Sequence, residues 1–171
     1  MDQFHHMGKG MLLMAWVLGL VLLTLMFGEW EEKQVNPNQQ PESSLQGRTV
    51  QVVLNRNRWG HYVVNGTINE QAAVFLLDTG ATDVVIPETI ANRLGLSRGM
   101  PLQASTANGL ITVYQTRLDS LTIGDIHLRQ VSASINPAMN DHDEILLGMS
   151  ALKSIEFSQE NNKMILRQHN P

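Results

Sequence analysis

Residues 11–27 read MLLMAWVLGLVLLTLMF, a run without one charged side chain, and this run constrains the rest of the chain more than any other feature. No polar face recurs in it at helical spacing, which argues against the core helix of a globular domain. A helix needs about 17–25 such residues to span a bilayer, so the run suits a short transmembrane anchor. Trp16 and Trp30 stand at or near the expected interfaces. Lys9, with His5 and His6, precedes the run, whereas Glu29, Glu31 and Glu32 follow it with Lys33 among them. That bias points the N-terminus to the cytoplasm. A cleaved signal peptide is the alternative, but the exit Leu25-Met26-Phe27-Gly28-Glu29 lacks an A-x-A-like site.

The expected organisation is a cytoplasmic N-terminus at 1–10, an anchor at 11–28, a flexible linker at 29–46 and a folded body at 47–171. The linker expectation rests on residues 34–46, QVNPNQQPESSLQ, whose polar composition offers no apolar surface to bury. The body is then of ordinary size for one domain and too short for two full lobes. With 12 Lys+Arg in 171 residues, no cationic cluster along the sequence and a net charge of −4, nucleic acid is not an expected partner. The chain has no cysteine, so disulfides, thiolate catalysis and thiolate metal ligation are excluded.

Beyond residue 47 the pattern is of short β-rich runs separated by turn residues. Strands are predicted at 49–54, 61–68, 71–77, 111–114, 118–123, 126–135 and 164–167, with turns at Asn69-Glu70 and Gly124-Asp125. Residues 87–94, closed by Gly95, read as a helix, and 149–154 as a second candidate. The expected class is all-β: a small closed barrel with one short helix, preceded by a single transmembrane helix.

The chemistry is concentrated where the apolar strand end Phe75-Leu76-Leu77 gives way to Asp78-Thr79-Gly80-Ala81-Thr82. A carboxylate at the point where a chain leaves the core is costly unless hydrogen-bonded. Thr79 and the backbone N–H groups around Gly80 are the expected donors, and Gly80 permits close backbone approach. A lone Asp-Thr-Gly also makes ordinary turns, so the triplet alone does not decide between a turn and a reactive carboxylate.

The wider pattern does decide it. Residues 75–82 (FLLDTGAT) with Val84-Val85-Ile86-Pro87, joined downstream by Glu144-Ile145-Leu146-Leu147-Gly148-Met149-Ser150-Ala151-Leu152, resemble the retroviral-type (retropepsin-like) aspartic proteases, especially bacterial membrane-anchored relatives. The resemblance covers roughly residues 50–167. It implies a barrel of the retropepsin type, with Asp78 catalytic, Thr79, Gly80 and Ala81 supporting the active-site loop, and Leu147 and Gly148 packed beneath it. It also implies that the Asn108-Gly109 hairpin, a strong turn signal in its own right, is a flap over substrate. No second Asp-Thr-Gly or Asp-Ser-Gly occurs, so each chain would hold half a site. A homodimer acting on peptide or protein substrates is implied, with no cofactor and no metal. The implied location is the inner membrane, with the body periplasmic or extracytoplasmic.

Two departures from the retroviral pattern stand out. Those enzymes often carry an Asp after D-T-G-A and an Arg after the downstream Gly, joined as a charged pair, whereas this chain has Thr82 and Met149. A catalytically weak peptide-binding module on the same fold is the alternative function, and a tethered structural β-domain a remoter one. The cluster Asn140-Asp141-His142-Asp143-Glu144 lacks metal-loop spacing and reads as a solvated acidic turn. His61, His127 and His169 show no ligand spacing. Asp83, Asp119 and Asp125 lack the apolar-strand-then-Thr-Gly setting of Asp78.

Overall fold

The computed structural model describes residues 3–106 and 109–169. The chain divides into two compact units, Met1–Val35 and Asn36–Pro171. The first is one helix, α1 (Gln3–Val35), whose segment from Gly10 onward is long and apolar enough to cross a membrane. Its 33 residues extend for roughly 50 Å, against about 30 Å for a hydrocarbon core.

The second unit is built from short strands. In chain order these begin with β1 (Glu42–Gln46), β2 (Thr49–Asn55), β3 (Val63–Ile68), β4 (Gln71–Leu77) and β5 (Val84–Pro87). Helix α2 (Glu88–Arg93) precedes β6 (Pro101–Thr106), β7 (Gly109–Ile123) and β8 (Ile126–Asn136). A 3-10 turn (Pro137–Met139), β9 (Ile145–Leu147), the single-turn helix α3 (Met149–Leu152), β10 (Glu156–Glu160) and β11 (Lys163–His169) complete the unit.

Seven strands pair in the order β3-β4-β9-β5-β8-β7-β6, and β7 pairs back onto β3 through Thr67↔Thr122 and Ile68↔Leu121. This pairing closes the barrel. Gly66 makes the seam possible, because a Cβ there would strike the Thr122 carbonyl and the Phe75 ring. The two threonine hydroxyls then bond across it. Alternation drives the strands into place. Val50, Val52 and Leu54 of β2 point inward to join Phe75, Ile86, Leu118, Leu121, Ile135 and Leu147 in one core, while the intervening residues face outward. The turn at Asn69-Glu70 has positive φ at both positions (48° and 67°), as a two-residue hairpin of this twist requires.

A second sheet, β1-β2-β11-β10, is antiparallel throughout. Residues 164–167, predicted as a strand, lie within β11, whose two edges are both occupied inside the chain, by β2 and β10. The free edges of this sheet are therefore β1 and β10.

The expected flexible linker at 29–46 is corrected. Residues 29–35 continue α1, and the body starts at Asn36 rather than residue 47. Asn38 is 2% exposed and clamps the body: its Nδ2 donates to Asn55 O (2.9 Å) and Val63 O (2.7 Å), and its Oδ1 accepts from Asn55 N (2.6 Å). Asn36 Nδ2 donates to Asn65 Oδ1 at 2.7 Å, and β1 then adds to β2 from Glu42↔Val53 to Gln46↔Thr49. Polar composition misleads here because amide side chains and backbone ladders secure the segment without apolar burial. Two predicted strands, 111–114 and 118–123, merge into the single long β7. The polar or very short β1, β5, β9 and β10 were not anticipated; α2 lies within the helix expected at 87–94, and the single-turn α3 lies within the second candidate, 149–154.

Replacing Asn38 with Ala strands three backbone groups, so Asn38→Ala should lower unfolding free energy by about 2–4 kcal/mol. Chemical unfolding in mild detergent measures this, and an unchanged midpoint would refute the clamp.

Candidate active site

Asp78 is the first residue past β4 and marks the point at which the chain leaves the barrel wall. Parallel pairing of β4 with β9 runs Phe75↔Ile145, Leu76↔Leu146 and Leu77↔Leu147. The ladder ends with Asp78 N donating to Leu147 O at 3.2 Å. The loop then folds back: Ala81 N donates to Asp78 O at 3.2 Å, and the chain re-enters as β5, which pairs with β9 at Val85↔Leu146. β9 thus lies between the strand that delivers Asp78 and the strand that follows it.

The Asp78 carboxylate is half-buried, and its Oδ1 accepts from Gly80 N at 2.9 Å. Among the described residues no cation pairs with it. Thr79 behaves differently from the expectation: it is exposed and makes no hydrogen bond to Asp78 among the described residues. Its side chain leaves the task of holding the carboxylate to the Gly80 amide.

Beneath the loop, Gly148 is buried and in direct contact with it. A Cβ at this position would collide with the carbonyl carbon and oxygen of Asp83 and lie 2.7 Å from Ala81 O. Met149 N donates to Ala81 O and Ser150 N to Thr82 O, each at 2.9 Å. These bonds join the two places where the retroviral pattern has its charged pair, so backbone contacts connect Thr82 and Met149 to the opposite segment. Ser150 adds a contact that sequence reasoning missed. Its Oγ accepts from Val84 N (2.9 Å) and donates to Ser132 O (2.7 Å), tying α3, β5 and β8 together. The signal was a serine in the first turn of a helix following Gly148, a place where hydroxyls commonly serve backbone groups.

The structure therefore brings Asp78, Gly80, Ala81, Leu147 and Gly148 into one assembly, with Thr79 at its exposed rim. The hairpin of β6 and β7 is formed, with register from Pro101↔Tyr114 to Thr106↔Gly109. Gly109 has φ +105°, a conformation that favours glycine, and Leu110 beside it is 75% exposed. Asn108, the other expected flap residue, lies outside the described residues. Asp119 is held by Gln130 Nε2 at 3.2 Å on the β7–β8 face, and Asp125 lies in the β7–β8 turn, where its N–H donates to Ser43 Oγ. Among the described residues no three His, Asp or Glu side chains converge on a common point.

Comparison with known proteins gives three kinds of match. The family model described as "gag-polyprotein putative aspartyl protease" matches residues 64–154, from β3 through α3 and the residues just after it. Among curated proteins, an uncharacterised protein from the cobV 5′ region of a Sinorhizobium species is 30% identical over 112 residues, 64% of this chain and 48% of that protein. An uncharacterised protein of Rickettsia prowazekii is 27% identical over 120 residues, 68% of this chain and 51% of the relative. The chain thus spans about half the length of these relatives. Among solved structures, a retropepsin-like aspartic protease from Rickettsia conorii superposes with a TM-score of 0.60 at 27% identity, covering 75% of this chain and 96% of that one.

The close approach at Gly148 makes a graded expectation. Gly148→Ala should cost about 3 kcal/mol, the upper range for overpacking against backbone. Gly80→Ala, whose Cβ would meet only Asp78 Oδ1 at 3.2 Å, should cost clearly less. Unfolding midpoints of the two variants decide it: equal losses would deny Gly148 its special place.

Proposed function

Because this chain belongs to the family of gag-type, retropepsin-like aspartic proteases, we propose that it is a membrane-anchored endopeptidase in which Asp78 from each of two copies forms one active site. The observation that carries the reading is the state of Asp78. Its loop is pinned from below by Leu147 and Gly148, yet its carboxylate is partly exposed and free of any cation among the described residues. A structural turn has no need for that arrangement, since a half-buried carboxylate without a cation is a cost to the fold. One such loop per chain, and relatives that are homodimeric in general, support the two-copy site.

In the proposed reaction the two Asp78 carboxyls lie against each other across a two-fold axis and share one proton, because adjacent like charges do not both ionise readily. The ionised member takes a proton from a water as the water oxygen bonds to the scissile carbonyl carbon. The protonated member donates to the carbonyl oxygen. Collapse of the tetrahedral diol breaks the C–N bond, returns a proton to the leaving amine and restores the singly protonated pair. Substrate would bind as an extended strand, with the β6–β7 hairpin as its cover. Gly80 and Ala81 hold the loop through their N–H groups on Asp78, Thr79 stands at its exposed rim, and Leu147 and Gly148 form its floor.

We further propose that α1 anchors the enzyme through residues 11–28 in the inner membrane, with residues 1–10 cytoplasmic and the body on the extracytoplasmic side. The candidate span and the charge bias around it support this reading.

The test is cleavage of an unbiased peptide mixture by the full chain in detergent, beside Asp78→Asn, over a concentration series. The parent rate should rise faster than linearly with concentration, and Asp78→Asn should remain folded while losing about a thousandfold in rate. Retained turnover in Asp78→Asn would overturn the assignment. No activity from a folded, demonstrably dimeric parent would favour the peptide-binding module. The pH profile should be a bell: at its acid limb both carboxyls are protonated and no base remains, and at its alkaline limb both are ionised and no acid remains. A rate independent of pH from acid to mildly alkaline conditions would count against the shared proton.

A further inference from the structure

The loop after β2 and the β10–β11 turn form an open depression of about 570 Å³. Arg56, Arg58 and Lys163 line it, together with Trp59, Asn161 and Asn162. Among the described residues none of the three cations is paired with a carboxylate. The acidic residue nearest by register is Glu160, opposite Lys163, which leaves the two arginines as net positive charge in a chain whose overall charge is −4. Trp59 is 51% exposed, and the Arg58 guanidinium lies 4.2 Å from its ring centroid.

The loop that presents these groups is internally fixed. Asn57 Oδ1 accepts from Trp59 N (3.0 Å) and His61 N (2.9 Å), while Arg56 Nε donates to Gly60 O (2.9 Å). An exposed indole beside unpaired cations, held in place by its own loop, is the side-chain combination that suits a lipid–water interface. Chain length adds a second argument. The Asn38 clamp grips Asn55, the residue before Arg56, and Asn38 lies three residues beyond the end of α1. Eight helical residues and three extended ones keep that point no farther than roughly 25 Å from the last apolar residue of the span.

We propose that Arg56, Arg58, Lys163 and Trp59 form a docking site for the anionic phospholipid headgroups of the bilayer that holds α1. The proposal rests on the reading of α1 as a membrane anchor. Docking through this site gives the body a preferred face toward the membrane, so that the anchor supplies proximity and the patch supplies orientation.

The test uses the full chain, whose 3 tryptophans are Trp16, Trp30 and Trp59. Trp16→Phe with Trp30→Phe leaves Trp59 as reporter, and Trp30→Phe with Trp59→Phe leaves Trp16. Each is reconstituted into phosphatidylcholine vesicles, and into vesicles that also contain phosphatidylglycerol, with brominated lipid as quencher. Trp16 should be quenched in both membranes and Trp59 only in the anionic one. Arg58→Gln with Lys163→Gln, which spares the loop bonds of Arg56, should lower the docked-to-undocked ratio by roughly 25-fold, or about fivefold per charge. Quenched Trp16 with unquenched Trp59 overturns the docking site alone. Equal quenching of Trp59 in both membranes overturns the headgroup selectivity, and a Trp59 response to inorganic phosphate over neutral vesicles assigns the site to soluble anions instead. Unquenched Trp16 overturns the anchor, and the docking proposal with it.

Discussion

The contact between Gly148 and the carbonyls of Ala81 and Asp83 is the constraint from which the rest of the site follows. It lets α3 begin directly under the loop that carries Asp78, so that Met149 N and Ser150 N reach Ala81 O and Thr82 O. The same short segment places β9 between β4 and β5, which is how two strands adjacent in sequence come to be separated in the sheet. Any side chain at Gly148 would push this layer outward and loosen the ladder that ends at Asp78 N. Barrel closure and loop geometry are therefore coupled, with Gly66 relieving the seam on one side and Gly148 the loop on the other.

This arrangement also bears on the missing charged pair. An ion pair between the positions of Thr82 and Met149 would have to offset the desolvation of both charges, and the net gain of such pairs is often small. Two backbone hydrogen bonds and the bridging hydroxyl of Ser150 connect the same segments with no charge to desolvate. The loop keeps its anchorage within the chain.

Legibility followed the physics of each element. β2, β4 and β8 carry strong alternation or continuous apolar runs, and these patterns hold because one face of each strand packs into the core. The Asp78 loop was readable because a carboxylate following an apolar strand demands a hydrogen-bonded exit. β1 (ESSLQ) and β10 (EFSQE) are edge strands, and an edge can be held by its backbone ladder with little side-chain burial, so no hydrophobic signal marked them. Residues 36–38 were missed for a related reason. Asn-Pro-Asn reads as linker by composition, while its function in the fold lies in side-chain amides bonding to backbone groups distant in sequence. Thr79 was misjudged in the opposite sense: its chemistry suits a donor to Asp78, but the turn points it outward.

The corrected boundary changes what the proposed tether would do. A free spacer of about eighteen residues would let the body sample a wide volume and any orientation, whereas the body begins at Asn36, the residue after α1. On the proposed two-copy site this has opposing effects. Confinement to one membrane raises the effective concentration of partner copies, which favours a dimer too weak to form in solution. A short connection also restricts which faces of two bodies can meet, and avidity vanishes where geometry forbids the encounter. In the proposed anchored dimer, only interfaces compatible with two anchors in one membrane would remain accessible.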